Sequence, residues 1–448
     1  MSVQNRLFSS SLARKYPFFS LVQPLGDVIA GLREAPPTDQ AGPGFKRIVT
    51  DLGNLSGAYA DLVDSSGNDL GSTVLGGAGA SQDEESALVR SVAEAAERYA
   101  CCVAPLKVEV ATAHELGEDG LSFGHLLLCS AQEYAHPRCH LRPFNPDAPM
   151  RWVKGYSVVA GKPRFVPLVM THLFVKAWES EEIWHPITTG VAAHTDPLKA
   201  IVSAINEVVE RDALTLTWLL HWPLPRILLD EPPPQDLALI FERLHRSKVQ
   251  QYMYNATTDI SVPTVYAIQL TERHDKIAQF VNCSSGTSLW QNCAKVILEA
   301  ACGRTVGSLW RDPPESLDEF VALEHGAAYM GRPEQRGHFD FLLKNGNSQP
   351  ISTGGTDYPE SDVLAQFKFL VRRFAELKMD VVLVDLTTDE LRETGLWVIR
   401  AVIPGLVPLT FNYRAQFLGH PRIYEYAKKM GLQIAGEADL NKLPQPFA

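Results

Sequence analysis

Two segments of the chain share one pattern, two glutamates three residues apart followed by an arginine: Glu94, Glu97 and Arg98, and Glu207, Glu210 and Arg211. In a helix, residues three apart lie on one face, with Cβ atoms about 5–6 Å from each other. The surrounding positions are apolar, so each pair would be largely buried, where like charges are costly unless a cation neutralises them. Two such pairs facing one cleft would form a four-carboxylate site suited to one or more Mg²⁺ ions.

Each glutamate segment follows a short stretch of small residues that contains glycine: Gly76–Ala80 before the first and Thr188–Ala193 before the second. A third stretch, 284–287, precedes a weaker copy that runs from Glu299 to Arg304 with shifted spacing. The backbone N–H groups of such loops can bind nucleotide phosphates. The alternative is a solvated helix face with glutamate–arginine pairs worth only a few tenths of a kcal/mol. The repetition favours the buried site, but the spacing alone leaves both interpretations open.

The elements that would position these residues are mixed along the chain. Apolar periodicity predicts helices at four places: 81–103, 197–220, 289–309 and 361–377. Runs rich in β-branched residues predict strands at five: 151–159, 164–168, 262–270, 380–387 and 396–403. Loops are predicted where proline, glycine and polar residues concentrate: 34–46, 224–236 and 331–360. This mixture favours sheets with helices packed against them, an α/β or α+β protein.

The composition narrows the class of protein. The chain has 448 residues, a formal charge of −11 and 45% hydrophobic residues. The acidic balance argues against nucleic-acid binding and against docking to anionic membranes, and the sequence has no apolar run long enough to span a bilayer. Seven cysteines without a C-x-x-C motif indicate buried free thiols in a reducing compartment. We therefore expect a cytoplasmic protein.

Taken together, the glutamate segments resemble those of the YcaO family. Three blocks carry the resemblance in order, Gly76 to Arg98, Thr189 to Ala213 and Gly286 to Arg304, and the C-terminal end adds to it. The resemblance implies an α+β, YcaO-like fold with mixed β-sheets packed against the glutamate helices. It also implies a division into an N-terminal segment, 1–70, and a catalytic domain, 71–448, that ends in a proline-rich tail.

Members of this family use ATP and Mg²⁺ to activate backbone amides. By resemblance, four residues are candidate ligands of both the metal and the ATP phosphates: Glu94, Glu97, Glu207 and Glu210. Arg211 and Arg304 are candidate phosphate contacts. Three positions depart from the common family pattern: Thr195, Lys199 and Cys302. Lys199 would then either replace one metal ion with a fixed cation or contact a phosphate directly.

The end of the chain resembles one branch of the family. Azoline-forming members end in a proline-rich tail whose terminal carboxylate enters the active site, and this chain ends with Pro444, Pro446 and, last, Ala448. The resemblance implies that these three belong to the catalytic site, with the Ala448 carboxylate as the base. The expected enzyme is an ATP-dependent cyclodehydratase. It would convert Cys, Ser or Thr of a ribosomally made precursor peptide to thiazoline or oxazoline by phosphorylating the backbone amide oxygen.

Partners are also implied. Azoline-forming relatives depend on a ThiF-like protein that binds the leader of the precursor peptide. About 70 residues precede the first block here, so we expect that partner as a separate chain, together with the precursor peptide. An FMN-dependent dehydrogenase that oxidises azolines is a further possible partner. The alternatives are thioamide or amidine formation on the same fold, and a non-catalytic, ATP-binding scaffold subunit of a modification complex.

Overall fold

The computed structural model describes most of the chain: residues 12–23, 28–35, 44–52, 55, 76–103, 107–121, 123, 128–173, 175–272, 276–308 and 310–447. In this part, twelve α-helices alternate with fourteen strands. The helices are α1 Leu12–Lys15, α2 Glu84–Cys102, α3 Ala113–Leu116, α4 Ala131–Ala135, α5 Pro197–Leu219, α6 Ala238–Arg246, α7 Leu289–Gly307, α8 Leu323–Met330, α9 Asp340–Leu343, α10 Val363–Glu376, α11 Asp389–Glu393 and α12 Pro421–Lys429.

The strands, mostly antiparallel, form three sheets of three, five and six strands. They are β1 Gly31–Glu34, β2 Lys46–Asp51, β3 Ala78–Ser81, β4 Glu109–Ala111, β5 Met150–Ser157, β6 Lys162–Pro167, β7 Val191–His194, β8 Arg226–Leu228, β9 Gln250–Asn255, β10 Thr264–Leu270, β11 Gln279–Ser285, β12 Ser348–Pro350, β13 Val382–Asp385 and β14 Trp397–Val402. The sheet orders are β1-β2-β3, β11-β10-β9-β8-β12 and β4-β5-β13-β14-β7, with β6 paired to β5.

The three long helices with glutamates each follow an edge strand of a different sheet. Strand β3 leads into α2, β7 into α5 and β11 into α7. Each helix begins at an N-cap side chain that accepts backbone N–H groups, namely Asp83, Asp196 and Ser288. These caps fix where each helix leaves its strand.

These three strand–helix pairs close into a ring. Helix α2 packs on β3 and on β7, α5 packs on β7 and on β11, and α7 packs on β11 and on β3. Each helix therefore contacts the strand of its own pair and the strand of the next. The ring joins the edges of all three sheets, and the glutamates lie on the helices that make these joints.

Most predicted elements are present with ends shifted by a few residues. The four helices predicted at 81–103, 197–220, 289–309 and 361–377 correspond to α2, α5, α7 and α10, and the five predicted strands correspond to β5, β6, β10, β13 and β14. Residue 309, the last of the third helix prediction, lies outside the described residues. The α+β prediction is confirmed.

The small-residue stretches were predicted as loops, and this was wrong for most of their length. Ala78–Ser81 is strand β3, Val191–His194 is β7, and the third stretch begins inside β11. Side-chain periodicity fails here because alanine and glycine carry no apolar pattern. The pairing with neighbouring strands, which is not local in sequence, decides their conformation.

Two longer loop predictions also contain short elements. The segment 224–236 includes β8, and 331–360 includes α9 and β12, which pairs in parallel with β8. Part of 34–46 lies outside the described residues. The division at residue 70 stays a prediction, although β2 from the N-terminal segment pairs with β3. All seven cysteines are free thiols, and six are buried. Across the described residues, no helix combines the length and apolar character needed to cross a membrane.

Candidate active site

The four glutamates predicted as ligands each accept a backbone N–H from an edge strand or from the turn before it. The first of each pair binds the segment that precedes its own helix: the N–H of Ala78 donates to Glu94 (2.7 Å) and that of Gly190 to Glu207 (3.0 Å). These bonds leave the second carboxylate oxygen of each side chain for other partners.

The second glutamate of each pair reaches the strand of the next pair. The N–H of Ala193 in β7 donates to Glu97 (2.8 Å), and the N–H of Ser285 in β11 donates to Glu210 (3.0 Å). Glu97 and Glu210 therefore help to hold the ring together, since each of these bonds connects the helix of one strand–helix pair to the strand of the next. This alternation also explains the E-x-x-E spacing: residues three apart on a helix face two neighbouring strands.

Cations lie beside most of these carboxylates. Arg98 donates to Glu94 at 2.7 Å. Arg211 donates to Glu210 and, at 3.2 Å, to Glu207. The arginine of the E-x-x-E-R pattern therefore pairs with glutamates of its own helix in both copies, as the i,i+4 geometry allows.

Glu97 is different, because its hydrogen bond is to the backbone N–H of Ala193 and not to a cation. Burial, together with the charges of Glu207 and Glu94, raises the pKa of Glu97 well above its usual value. Burial likewise raises the pKa of Glu207, and Glu210 adds to that effect. A cation bound between these carboxylates would reverse the unfavourable interaction.

The third helix adds a carboxylate and a lysine that the sequence analysis did not assign to the site. Lys295 Nζ lies 3.5 Å from Glu299 and 3.9 Å from Glu210. The charges of these carboxylates, Glu299 foremost, raise the pKa of Lys295. The signal was present in the sequence, since Glu299 opens the weaker third copy. Lys295 could have been found one helical turn before it.

Two glycines, Gly77 and Gly79, allow the backbone of strand β3 and the residue before it to pack closely on helix α2. A Cβ on Gly77 would lie 2.2 Å from the carbonyl oxygen of Ser91, and one on Gly79 would lie 2.1 Å from that of Ala87. Strand β3 can therefore lie directly on α2 only with glycine at these positions. The N–H groups of Ala78 and Gly190, predicted to bind phosphates, donate instead to glutamates.

Two further predicted nucleotide contacts, Arg304 and Lys199, lie on α7 and α5, the helices of Glu299 and of the second glutamate pair. The buried side chain of Arg304 donates to the carbonyl of Ile277 at 2.7 Å, and burial lowers its pKa to about 10. Lys199 is exposed in the first turn of α5, and burial together with its charge lowers the pKa of His194. The structure therefore shows Arg304 bound to a backbone carbonyl and Lys199 at the surface near the start of α5. Their roles toward ATP stay predictions.

The C-terminal tail is packed against the protein. Trp218 of α5 donates its indole N–H to the carbonyl of Leu443 at 3.0 Å. Pro444 and Pro446, both predicted as site residues, are buried. The tail therefore follows a fixed path along α5, the helix of the second glutamate pair.

That path ends at the glutamates. The ring of Phe447 lies over the guanidinium of Arg211, with the guanidinium carbon 4.3 Å from the ring centroid. Arg211 in turn pairs with Glu207 and Glu210. Ala448, predicted to supply the catalytic carboxylate, lies outside the described residues.

A small cavity of about 40 Å³ adjoins the same helix. Val208 and Arg211 of α5 line it, opposite β14 residues that include Arg400. Arg400 is buried and donates to the carbonyl of Ile187 at 2.7 Å. The cavity therefore offers apolar walls and guanidinium groups next to the second glutamate pair.

The donor set fits Mg²⁺ in one particular way. Among the described residues, no three metal-ligating side chains lie close enough to hold an ion by themselves. Mg²⁺ is commonly bound by one or two carboxylates, with phosphate oxygens and water completing its shell. Glu97 and Glu207, whose charges disfavour each other, are the carboxylates that such an ion would most relieve.

A family model matches residues 77–407, and it describes a YcaO cyclodehydratase that binds ATP and Mg²⁺. The matched range includes all three strand–helix pairs. A relative described as an uncharacterised protein in the tfuA 3′ region of Rhizobium leguminosarum bv. trifolii is 24% identical over 192 residues, which cover 42% of this chain and 43% of that protein.

Three solved structures share the fold. A heterocyclase in complex with substrate and cofactor has a TM-score of 0.78 at 16% identity, covering 98% of this chain and 57% of the other. YcaO from Methanopyrus kandleri, bound with AMPPCP and Mg²⁺, has a TM-score of 0.58 at 17% identity, with 90% of each chain covered. The Escherichia coli microcin synthetase McbBCD complex with pro-MccB17 has a TM-score of 0.61 at 14% identity, covering 95% and 99%.

The chain thus spans less than half of the curated relative and a little over half of the first heterocyclase. The family model nevertheless covers most of the present chain, including every glutamate discussed above. The chain belongs to the YcaO family, whose members bind ATP and Mg²⁺.

Proposed function

We propose that this protein is an ATP-dependent cyclodehydratase that forms azolines in a precursor peptide. The thiol or hydroxyl of a Cys, Ser or Thr in the peptide attacks the carbonyl carbon of the preceding amide. The γ-phosphoryl group of ATP is transferred to the amide oxygen, which then leaves as phosphate. The products are a thiazoline or oxazoline, ADP and phosphate.

The reaction requires three things of the site: positioning of the nucleotide, neutralisation of the phosphate charge and removal of protons. Positioning and charge neutralisation dominate phosphoryl transfer, so the carboxylate cluster and Arg211 would hold the nucleotide end of the site. Mg²⁺, when bound, would neutralise the phosphate charge beside Glu97 and Glu207. The remaining task is to accept the protons released on cyclisation, and we assign it to the terminal carboxylate of Ala448.

One observation carries the azoline assignment: the contact of Phe447 with Arg211. Arg211 pairs with two of the four glutamates, Glu207 and Glu210. Phe447 therefore lies beside the proposed nucleotide site, and we assign the role of base to the residue that follows it, Ala448. Buried Pro444 and Pro446 support the same assignment, because they stiffen the tail that leads there.

The proposals for the peptide substrate and for the partner proteins are supported by the structural neighbours. One structural neighbour is a heterocyclase in complex with substrate and cofactor, and another is the microcin synthetase McbBCD complex with pro-MccB17 bound. We propose a precursor peptide as substrate and a separate ThiF-like protein as the chain that binds its leader. An FMN-dependent dehydrogenase would act afterwards if azolines are oxidised, and we place the reaction in the cytoplasm.

The test is mass spectrometry of a precursor peptide incubated with the protein, its leader-binding partner, ATP and Mg²⁺. Cyclodehydration predicts a loss of about 18 Da, one water, for each modified residue. A gain of about 16 Da would mean exchange of oxygen for sulfur, and thus thioamide formation. Nucleotide binding without any peptide modification would point to the scaffold alternative.

A variant without Ala448 sharpens this test. It should bind AMPPCP as the full chain does and should fail to form heterocycles. Normal heterocycle formation by this variant would remove the terminal carboxylate from the mechanism. AMPPCP in place of ATP is the matched chemical control, since its γ-phosphoryl group cannot be transferred to the amide.

A further inference from the structure

Helix α8 has a glycine in its interior, at the point where the C-terminal tail crosses it. Gly326 is buried, and a Cβ added there would lie 2.3 Å from the carbonyl oxygen of Gln445 and 3.4 Å from its amide nitrogen. The shorter distance is far inside the usual contact distance of about 3.5 Å. Within a helix glycine is less favourable than alanine. Gly326 therefore weakens α8 and leaves room for the backbone of the tail.

Helix α8 is itself fixed to the ring of strand–helix pairs. Its C-terminal end is joined to the start of β11, because the side chain of Gln279 donates to the carbonyl of Met330 at 2.7 Å and the N–H of Ala278 donates to the carbonyl of Gly331 at 2.8 Å. Strand β11 also holds Glu210 through the N–H at its other end. A side chain at position 326 would therefore displace the tail and not the helix.

Gln445 is the middle of three contacts along the tail. Trp218 of α5 holds the carbonyl of Leu443, two residues before it, and Phe447, two residues after it, lies over Arg211. The residues between these contacts are prolines, whose fixed φ leaves little freedom to absorb a shift. A displacement of the backbone at Gln445 would thus also displace Phe447.

We propose that Gly326 and Trp218 are positioning residues for cyclisation: they hold the tail between α8 and α5 and so set where Phe447 meets Arg211. The proposal rests on the proposed function, in which the residue after Phe447 acts as the base. Both residues act on the reaction through the tail. Their substitution should therefore slow cyclisation of bound peptide and leave nucleotide binding intact.

Two readouts on full-length Gly326→Ala test this. The kcat of cyclisation should fall about tenfold or more, because small misplacements cost rate steeply, with the peptide KM and the AMPPCP affinity unchanged. Trypsin cleavage after Lys442, followed by mass spectrometry as loss of the segment that begins at Leu443, reports whether the tail is held. This cleavage should become about tenfold faster or more, since its rate follows the population of the opened form.

Gly337→Ala is the matched control. Gly337 lies in the 3₁₀ helix Pro333–Phe339, and a Cβ there would meet nothing within 4 Å, so both readouts should stay unchanged. Trp218→Phe removes the N–H that binds Leu443 and keeps an aromatic ring. It should show the same two changes as Gly326→Ala, and it decides the question if circular dichroism shows that Gly326→Ala does not fold.

The proposal would be overturned by unchanged trypsin cleavage in Gly326→Ala, or by faster cleavage with normal cyclisation. It would also be overturned by an AMPPCP affinity that falls as far as the cyclisation rate, because the variant would then disturb the whole site. Failure of the unmodified protein to form azolines would refute the proposed function, whereas the cleavage rates would still show whether Gly326 and Trp218 hold the tail.

Discussion

The ring of Phe447 and the guanidinium of Arg211 form a cation–π contact, with the guanidinium carbon 4.3 Å from the ring centroid. This pair joins the end of the chain to the second glutamate helix. Since Arg211 also pairs with Glu207 and Glu210, it is the residue through which the tail and the carboxylates are held in one arrangement.

Phe447→Ala should reduce peptide modification by about tenfold or more, because small misplacements of a reacting group cost rate steeply. AMPPCP affinity should fall by much less than peptide modification, since Phe447 reaches the carboxylates through Arg211. Modification is followed by mass spectrometry and affinity by calorimetry. Phe367→Ala is the control, because Phe367 is also partly buried but packs against a different apolar cluster. Equal losses in both variants would assign the effect to general loosening.

Glu97→Gln should stabilise the protein when metal is absent. The folded protein holds the pKa of Glu97 well above its usual value through burial and through Glu207 and Glu94. A carboxyl with a raised pKa contributes stability that is present below its unfolded pKa, about 4.3, and is lost as the pH rises through the folded value. Glutamine cannot ionise, and its amide oxygen can still accept the Ala193 N–H.

The measurement is the melting temperature in EDTA at pH 5 and pH 8. The advantage of Glu97→Gln over the unmodified protein should be larger at pH 8, and the variant should bind AMPPCP with Mg²⁺ weakly. Glu118→Gln, on an exposed turn, should show neither effect. A variant less stable than the unmodified protein at both pH values would contradict this account.

Gly190→Ala should destabilise the protein and displace Glu207. Gly190 has φ +85°, and a Cβ there would lie 2.5 Å from the carbonyl oxygen of Ala401 and 2.7 Å from Val208. Backbone strain and the clash together should cost about 2–4 kcal/mol, and AMPPCP affinity should fall because the Gly190 N–H holds Glu207.

Gly161→Ala is the matched control for that variant. Gly161 also has a positive φ, +68°, but a Cβ there would meet nothing within 4 Å. Its cost should be about 1 kcal/mol, the penalty for the backbone alone, with nucleotide binding unchanged. Equal unfolding free energies for the two variants in urea would show that the contact with Ala401 is unimportant.

Asp212→Ala should cost about 3–5 kcal/mol, because it leaves a buried arginine without its main partner. Arg422 donates to both carboxylate oxygens of Asp212, at 2.8 and 2.7 Å, and this joins α12 to α5. The double variant Asp212→Leu with Arg422→Met should lose less than the sum of the single changes. Urea denaturation measures all of these, and strict additivity would mean that the pair is not coupled.

The sequence predicted the long helices well, because α2, α5 and α7 have caps, glycine boundaries and apolar faces that are local signals. It predicted the glutamates for the same reason, since two carboxylates three residues apart share a helix face. It did not predict β3 or β7. Their conformation is set by partners distant in the chain, as in the pairing of β7 with β14.

The prediction of the candidate site from the sequence was incomplete for the same reason, because contacts between residues distant in the chain decide its geometry. Which strand each glutamate binds, such as Ser285 for Glu210, depends on how three sheets meet. Lys295 precedes Glu299 of the weaker third copy by one helical turn, but its place between two helices follows from their packing. Lys199 was chosen because it departs from a family pattern, but that pattern held no information on where a side chain at that position would point.

The closed ring of strand–helix pairs has a consequence for how the protein assembles. Glu97 and Glu210 bind strands from pairs other than their own, so a fragment that lacks one pair has no complete set of carboxylates in place. A ligand that binds only the finished arrangement stabilises it by mass action, increasingly so as its concentration exceeds the dissociation constant. ATP would therefore stabilise the arrangement in which all three sheets are docked. With ATP bound, the three sheets should unfold together rather than one at a time.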